Sequence, residues 1–159
     1  MSNAPEANAA VGVTTNQWQG LTNTGWFPPD TQHAVGPKHV VEAVNSHFAI
    51  YSKLGTVVQG STSLSSFVNL PAGWAGSVFD PRVIYDADHN QFVMSAMGRD
   101  ATNSKSYMWV AVSKTSDATD GWWIWRYDVT DTDAWLDYAG LGSDHFGIYF
   151  TGNYFKWVG

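Results

Sequence analysis

The sequence predicts an all-β chain, and three observations carry that prediction. Helical periodicity is nearly absent, and the apolar runs are short and end in Gly, Asn, Asp or Pro. Aromatics make up 15% of the residues, with nine Trp beside 15 Gly, a composition of strands and turns. The third observation is an internal repeat: an acid heads a short apolar strand, a turn follows, and a longer apolar strand returns.

Taken in order, residues 1–19 read as an added start and a disordered lead, with room for a closing strand. "GWFPPDTQHAVGPKHVV" (25–41) fits no helix: two prolines and Asp30 precede a short strand and a tight turn. "HVVEAVN" (39–45) and "HFAIYS" (47–52) read as strands joined at Asn45-Ser46, and "TVVQ" (56–59) as a third strand after the turn "KLGT". Residues 61–77 read as a loop. The pattern restarts with strand "PRVIYD" (81–86), turn "ADHN", strand "QFVMSAMG" (91–98) and the polar loop 99–105. "SYMWVAVSK" (106–114) and "WWIWRYDV" (122–129) follow, the latter as outermost strand. A third start is "DYAGLGSDHFGIYFTGN" (137–153).

The repeat starts at Asp30, Asp80 and Asp137, with steps of 50 and 57 residues. Roughly 40–50 residues holding four short strands is the period of a β-propeller blade. A β-sandwich would also turn often, but has no reason to place an acid at the head of every fourth strand. The expected organisation is therefore blade 1 at 20–77, blade 2 at 78–134 and the start of blade 3 at 135–159. A closed ring needs about four blades or more. About two and a half blades imply an incomplete ring, or one completed by oligomerisation; three copies would give roughly seven blades.

Residues 20–55, with "PPDTQHAVGPKH", resemble a recurrent segment of large secreted bacterial proteins. "FDPRVIYDADHNQFVMSA" (79–96) and "WLDYAGLGSDHFGIYFTGNYF" (135–155) resemble the next segments of the same proteins, in the same order. The resemblance implies an extracellular β-propeller-like repeat family, often beside adhesion or surface modules and mostly of unassigned activity. The family usually has Gly where this chain has His33, so either the backbone freedom of Gly is not needed there or the position is a local specialisation.

Composition excludes several functions. The net charge is −6 without any Lys/Arg cluster, so nucleic acid is not an expected partner. No Cys is present, which removes thiol catalysis and disulfides. No apolar run reaches membrane-spanning length, and "MSNAPEANAA" has neither the basic start nor the apolar core of a signal peptide.

Asp30, Asp80 and Asp137 would head inner strands and point at one mouth of the channel. Three carboxylates there repel unless a positive group lies between them, and Ca²⁺ is the natural cation. The plain alternative is that each Asp accepts N–H groups of its own loop. As catalysts they would follow glycoside-hydrolase logic, because "DPRVIYD" also resembles the strand head of five-bladed furanosidase-type hydrolases. That resemblance implies Asp80 as base, Asp30 or Asp137 tuning it, and Arg82 orienting a carboxylate. A Glu acid is missing: only Glu6, in the lead, and Glu42, in a strand, exist.

The five His form no metal-binding spacing, and His39, His89 and His145 recur after the first turn of each repeat, which reads as structural. Asp86, Asp88 and Asn90 superficially match a calcium loop but lack its Gly and distant Glu, so a hairpin turn is expected. In 121–127 Trp123, Trp125 and Tyr127 share one strand face, with Trp122, Ile124 and Arg126 on the other. That face, with Arg82 and His33, forms the expected ligand surface: it stacks on a sugar or packs under a loop or second subunit.

The first reading is an extracellular binding and scaffold module contacting carbohydrate or protein, with Ca²⁺ as candidate cofactor. The second is a glycoside-hydrolase-like propeller using channel carboxylates, and the third a structural repeat assembling into a homo-oligomeric ring or filament.

Overall fold

The computed structural model describes residues 16–157. Residues 1–15, with Glu6 and most of the lead, lie outside the described residues. Ten strands and one helical turn follow: β1 (Gln32–Val35), β2 (His39–Val44), β3 (His47–Ser52), β4 (Val57–Ser63), α1 (Leu64–Phe67), β5 (Ser77–Asp86), β6 (Gln91–Asp100), β7 (Lys105–Ser113), β8 (Trp122–Asp128), β9 (Ala134–Asp144) and β10 (Gly147–Lys156). They form three antiparallel sheets: β1-β2-β3-β4, β5-β6-β7-β8 and the hairpin β9-β10. The chain is all-β, in up-and-down order, with no crossover helix among the described residues.

Some boundaries move from the sequence expectation. The loop expected at 61–77 is shorter, because β4 runs to Ser63 and β5 opens at Ser77, with α1 between them. The polar loop 99–105 shrinks to a turn at 101–104. Arg99 and Asp100 continue the ladder against Ser106 and Lys105. Their charges do not end the strand, since their side chains find aromatic rings and backbone N–H groups beside it.

The middle sheet is covered on both sides, which is why its strands read as near-continuous apolar runs. Phe92, Met94, Trp109 and Ala111 face the first sheet, meeting Val41, Phe48, Ile50 and Leu64. Val93, Met97, Met108, Val110 and Val112 face the hairpin, meeting Leu136 and Ala139. The alternation along each strand sends successive residues to opposite cores.

Each sheet begins with the same irregularity. In β5, Phe79 pairs with Met97 and Arg82 with Ser95, so Asp80 and Pro81 share one opposing residue. In β9, Asp137 pairs with Asn153 and Gly140 with Thr151, so Tyr138 and Ala139 do the same. Ahead of β1, the Asn45 N–H bonds the Pro29 carbonyl at 2.7 Å while Gln32 pairs with Ala43, leaving Asp30 and Thr31 as the extra pair. The first residue of each bulge is left-handed: Asp30 at φ 44°, Asp80 at φ 47° and Tyr138 at φ 56°. Asp tolerates that region better than most residues, whereas Tyr is bulky and strained there. The three left-handed positions are therefore Asp30, Asp80 and Tyr138, and Asp137 stands immediately before the third.

The turns after β5 and β9 are built alike, while the one after β1 is closed by the Gly36 N–H on the His39 carbonyl. Asp86 accepts the Asp88 and His89 N–H groups, and Asp144 accepts those of Phe146 and Gly147. "DADHN" is thus a hairpin turn. Strand β1 lies against β5, and β5 against β9, so the first strands of the three sheets stand side by side in chain order.

Two glycines set how closely the sheets approach. A Cβ at Gly36 would lie 2.5 Å from Phe92, and one at Gly152 2.8 Å from Met97 and 2.9 Å from Leu136. Gly36→Ala and Gly152→Ala should each cost about 1–3 kcal/mol. Gly60→Ala, whose Cβ meets nothing within 4 Å, should change stability by less than ~0.5 kcal/mol. Urea denaturation of the three variants compares them directly; equal effects at all three would refute this account of sheet spacing.

Candidate functional site

The bulges turn their acids toward one place. Asn45 ends β2 with a buried side chain, and its Nδ2 donates to the Asp30 carboxylate at 2.8 Å and the Pro28 carbonyl at 3.2 Å. Its Nδ2 also lies 3.4 Å from Asp80 Oδ1. Its Oδ1 accepts the Asp80 backbone N–H at 2.7 Å. The Thr24 hydroxyl donates to the Asn45 carbonyl at 2.6 Å. One amide therefore joins the approach segment, the first sheet and the bulge of the second. On the far side, the Tyr138 N–H donates to Asp137 Oδ1 at 2.9 Å and to Asp80 Oδ2 at 3.2 Å.

Asp30, Asp80 and Asp137 are thus gathered around one cleft, with Asp80 joined to Asp30 through the Asn45 amide and to Asp137 through the Tyr138 N–H. Burial and contact with Asp137 push the Asp80 carboxyl above the usual carboxylate range, against the pull of the Tyr138 N–H and the Asn45 amide. Burial and the Asp80 charge raise Asp30 likewise, with Arg82 opposing. The Asn45 amide occupies the space between Asp30 and Asp80 where a cation was expected. Among the described residues no group of three or more His, Asp or Glu side chains is arranged to hold a metal ion.

The cluster opens into a cleft of about 600 Å³ at the heads of β1, β5 and β9. Its walls are aromatic. Trp26 stacks on Phe79 at 6.1 Å, and Phe79 meets Trp135 edge-on at 6.0 Å. Phe27 and Tyr138 stand exposed at the rim. The opposite wall is the turn after β6, held by buried Asp100, which accepts the Ala75 N–H at 2.9 Å and the Asn103 amide at 2.8 Å. Burial works against the Asp100 charge, but these N–H groups outweigh it and keep its carboxyl below the usual range.

The remaining expected residues lie elsewhere. Arg82 faces the hairpin: its Nε donates to the Ala139 carbonyl at 2.6 Å and its guanidinium lies 5.6 Å from the Tyr138 ring. It acts on the acids only through its charge on Asp30. His33 is exposed on the far face of the first sheet, in a separate groove with Trp18 and Glu42. Glu42 accepts the Leu21 N–H at 2.8 Å and is not part of the acid cluster. Trp123, Trp125 and Tyr127 point outward from β8, each roughly half exposed, while Trp122 and Ile124 pack inward. That outward row does not line the acid cleft; Tyr127 instead meets Phe150 at 5.7 Å. His39 accepts the Ala118 N–H, His89 contacts Asp86, and His145 stacks on His89 at 6.1 Å.

Asn45, Trp26, Phe79, Trp135, Tyr138 and Arg99 complete the site and were not singled out from sequence. Their one legible signal was place: Trp26, Phe79 and Trp135 each lie one to four residues before a repeat acid. No family model, curated protein or solved structure matches this chain.

The shifts give a signed pH dependence. A carboxyl raised in the folded state binds its proton more tightly there than when unfolded, so its ionisation opposes folding above the ordinary value of 3.8. Asp80→Asn should therefore raise the melting temperature near pH 7 by a few degrees, equivalent to ~1 kcal/mol. The gain should shrink as pH falls toward 4. Asp100→Asn should have the opposite sign, because a depressed carboxyl stabilises above its ordinary value and loses that contribution in acid. Asn45→Ala should cost about 1–3 kcal/mol by stripping the Asp80 N–H and Asp30 of their partner. Melting curves at pH 4 and 7 test all three, and a destabilised Asp80→Asn at pH 7 would contradict the repulsion argument.

Proposed function

We propose that this chain is an extracellular binding and scaffold module made of β-propeller-like blades, with a carbohydrate bound in the cleft at the strand heads. The observation that carries it is the convergence of Asp30, Asp80 and Asp137 with Trp26, Phe79 and Trp135 in one cleft. Aromatic faces take the apolar C–H faces of a sugar, and carboxylates accept its hydroxyls. The repeated left-handed bulge and the side-by-side first strands support the blade reading. The extracellular placing rests on the resemblance of the motif segments to those of secreted proteins. Calcium is a dispensable partner on this reading, since Asn45 and the Tyr138 N–H already separate the acids.

The same geometry favours binding over glycoside hydrolysis. Hydrolytic carboxyl pairs stand about 5–5.5 Å apart in retaining enzymes and about 6.5–9.5 Å in inverting ones. In the cleft the carboxylates of Asp30 and Asp80 are engaged by the Asn45 amide and that of Asp80 also by the Tyr138 N–H, which leaves them as hydrogen-bond acceptors more readily than as an acid and base pair.

A specific observation also favours assembly into a ring or filament of like copies. Asn153 in β10 stands where Asn45 stands in the first sheet, each opposite the residue before a bulge, and Asn153 is exposed. Beside it, among the described residues, β10 has no strand paired on its outer edge, where Tyr149 and Phe155 are exposed. The β8 row Trp123, Trp125 and Tyr127 continues the same surface. A trimer is one way to close such a ring.

A glycan array on the purified chain, followed by calorimetry on the best oligosaccharide, tests binding. Trp26→Ala should weaken it about tenfold, ~1.4 kcal/mol, and Trp123→Ala/Trp125→Ala should leave it unchanged. Chelation of calcium should also leave it unchanged. Steady release of reducing ends that disappears in Asp80→Asn would replace binding by hydrolysis. Light scattering after size exclusion tests assembly, and a monomer at high concentration would remove it.

A further inference from the structure

Resting on the carbohydrate reading, we propose that Arg99 is an anion-recognition subsite of the cleft and that the ligand is an acidic glycan carrying carboxylates, of the uronic acid class. The described chain has three arginines. Arg82 donates to the Ala139 carbonyl at 2.6 Å and Arg126 to the Asn69 carbonyl at 3.1 Å. Arg99 lines the cleft, and among the described residues its guanidinium has no hydrogen-bond acceptor and no carboxylate partner. Its Nε is fully shielded from solvent and still unpaired. That Nε is out of reach of an outside acceptor too, so the subsite rests on the terminal amino groups of the fork, for which no hydrogen bond is found among the described residues.

The surroundings hold Arg99 ready. Its guanidinium lies over the Trp135 ring at 4.7 Å and the Trp157 ring at 5.5 Å, which fixes the plane of the donor fork. Behind it, Gly76 packs so tightly that a Cβ would lie 2.1 Å from the Arg99 carbonyl oxygen. Asp100 ties the same loop down through the Ala75 N–H. A planar fork with idle N–H groups matches a carboxylate bidentately. The three aspartates share the cleft yet none forms an ion pair with Arg99. The cleft is thus bipolar: acids that accept hydroxyls on one side and a cation that accepts a carboxylate on the other. A uronic acid residue presents both groups on one ring.

The test uses oligogalacturonate and its methyl ester, which share a backbone and differ in charge. Calorimetry on the full chain should show the charged oligomer bound at least tenfold tighter than the ester. Its affinity alone should fall with added NaCl. Arg99→Gln should abolish the preference by bringing the affinity for the acid down to that for the ester measured on the same variant, and Arg99→Lys should keep part of it. Melting curves of both variants establish that they fold. Equal binding of acid and ester, or a preference that survives in Arg99→Gln, overturns the subsite and leaves the carbohydrate reading standing. No binding of the acid overturns the uronate assignment, and an array without any glycan bound, neutral or acidic, removes both readings.

Discussion

The side chain of Asn45 is the constraint on which the rest of the structure depends. It is an uncharged amide placed among groups that would otherwise repel or go unpaired. Its donor meets Asp30 and its acceptor meets the Asp80 N–H, so it ties the first two sheets together at their heads. An amide can do this because it offers both signs of dipole on one rigid plane. A carboxylate at 45 would add a fourth negative charge, and an apolar residue would orphan the left-handed bulge. The neighbouring bulge uses a different solution: Met97, opposite Phe79, packs on the hairpin instead of reaching across by hydrogen bonds.

The cleft follows from that constraint. A one-residue bulge turns the strand and re-aims the side chain at its first position. Two such bulges re-aim Asp30 and Asp80, and Asp137, just ahead of the third, joins them at one mouth. The protein tolerates this by leaving Asp80 and Asp30 easier to protonate, a local instability that sits beside the aromatic cleft. The Tyr138 backbone is a second strained feature at the same rim. Strain and unfavourable charge held by a well-packed double-sided sheet are what a pre-formed binding site needs. The stability comes from the middle sheet, whose two faces are both buried.

Much of the architecture was legible. The strands at 39–44, 47–52 and 122–128 follow the apolar alternation closely, and β8 is the outermost strand of its sheet as its position suggested. The facing of Trp122 and Ile124 inward and Trp123, Trp125 and Tyr127 outward is a period-of-two argument that survives intact. The meeting of Asp30, Asp80 and Asp137 was legible as spacing. Other features were not. The length of β5 was missed because Ser77 and Asp80 look like loop residues, and only cross-strand pairing shows them in the ladder. Arg82 was read toward the carboxylates, but the bulge shifts its parity and sends it to Ala139.

By itself the sequence determined the all-β class of structure and the position of most strands, because periodicity and turn chemistry are local properties written in neighbouring residues. Only the tertiary structure decided that Tyr138, not Asp137, is the third left-handed residue, that the Asn45 amide lies between Asp30 and Asp80, and that Arg99 lines the cleft with no hydrogen-bond partner among the described residues. Those outcomes depend on register between strands and on which side chains from distant segments fill the same space. A single residue of bulge changes both, and no local pattern records it.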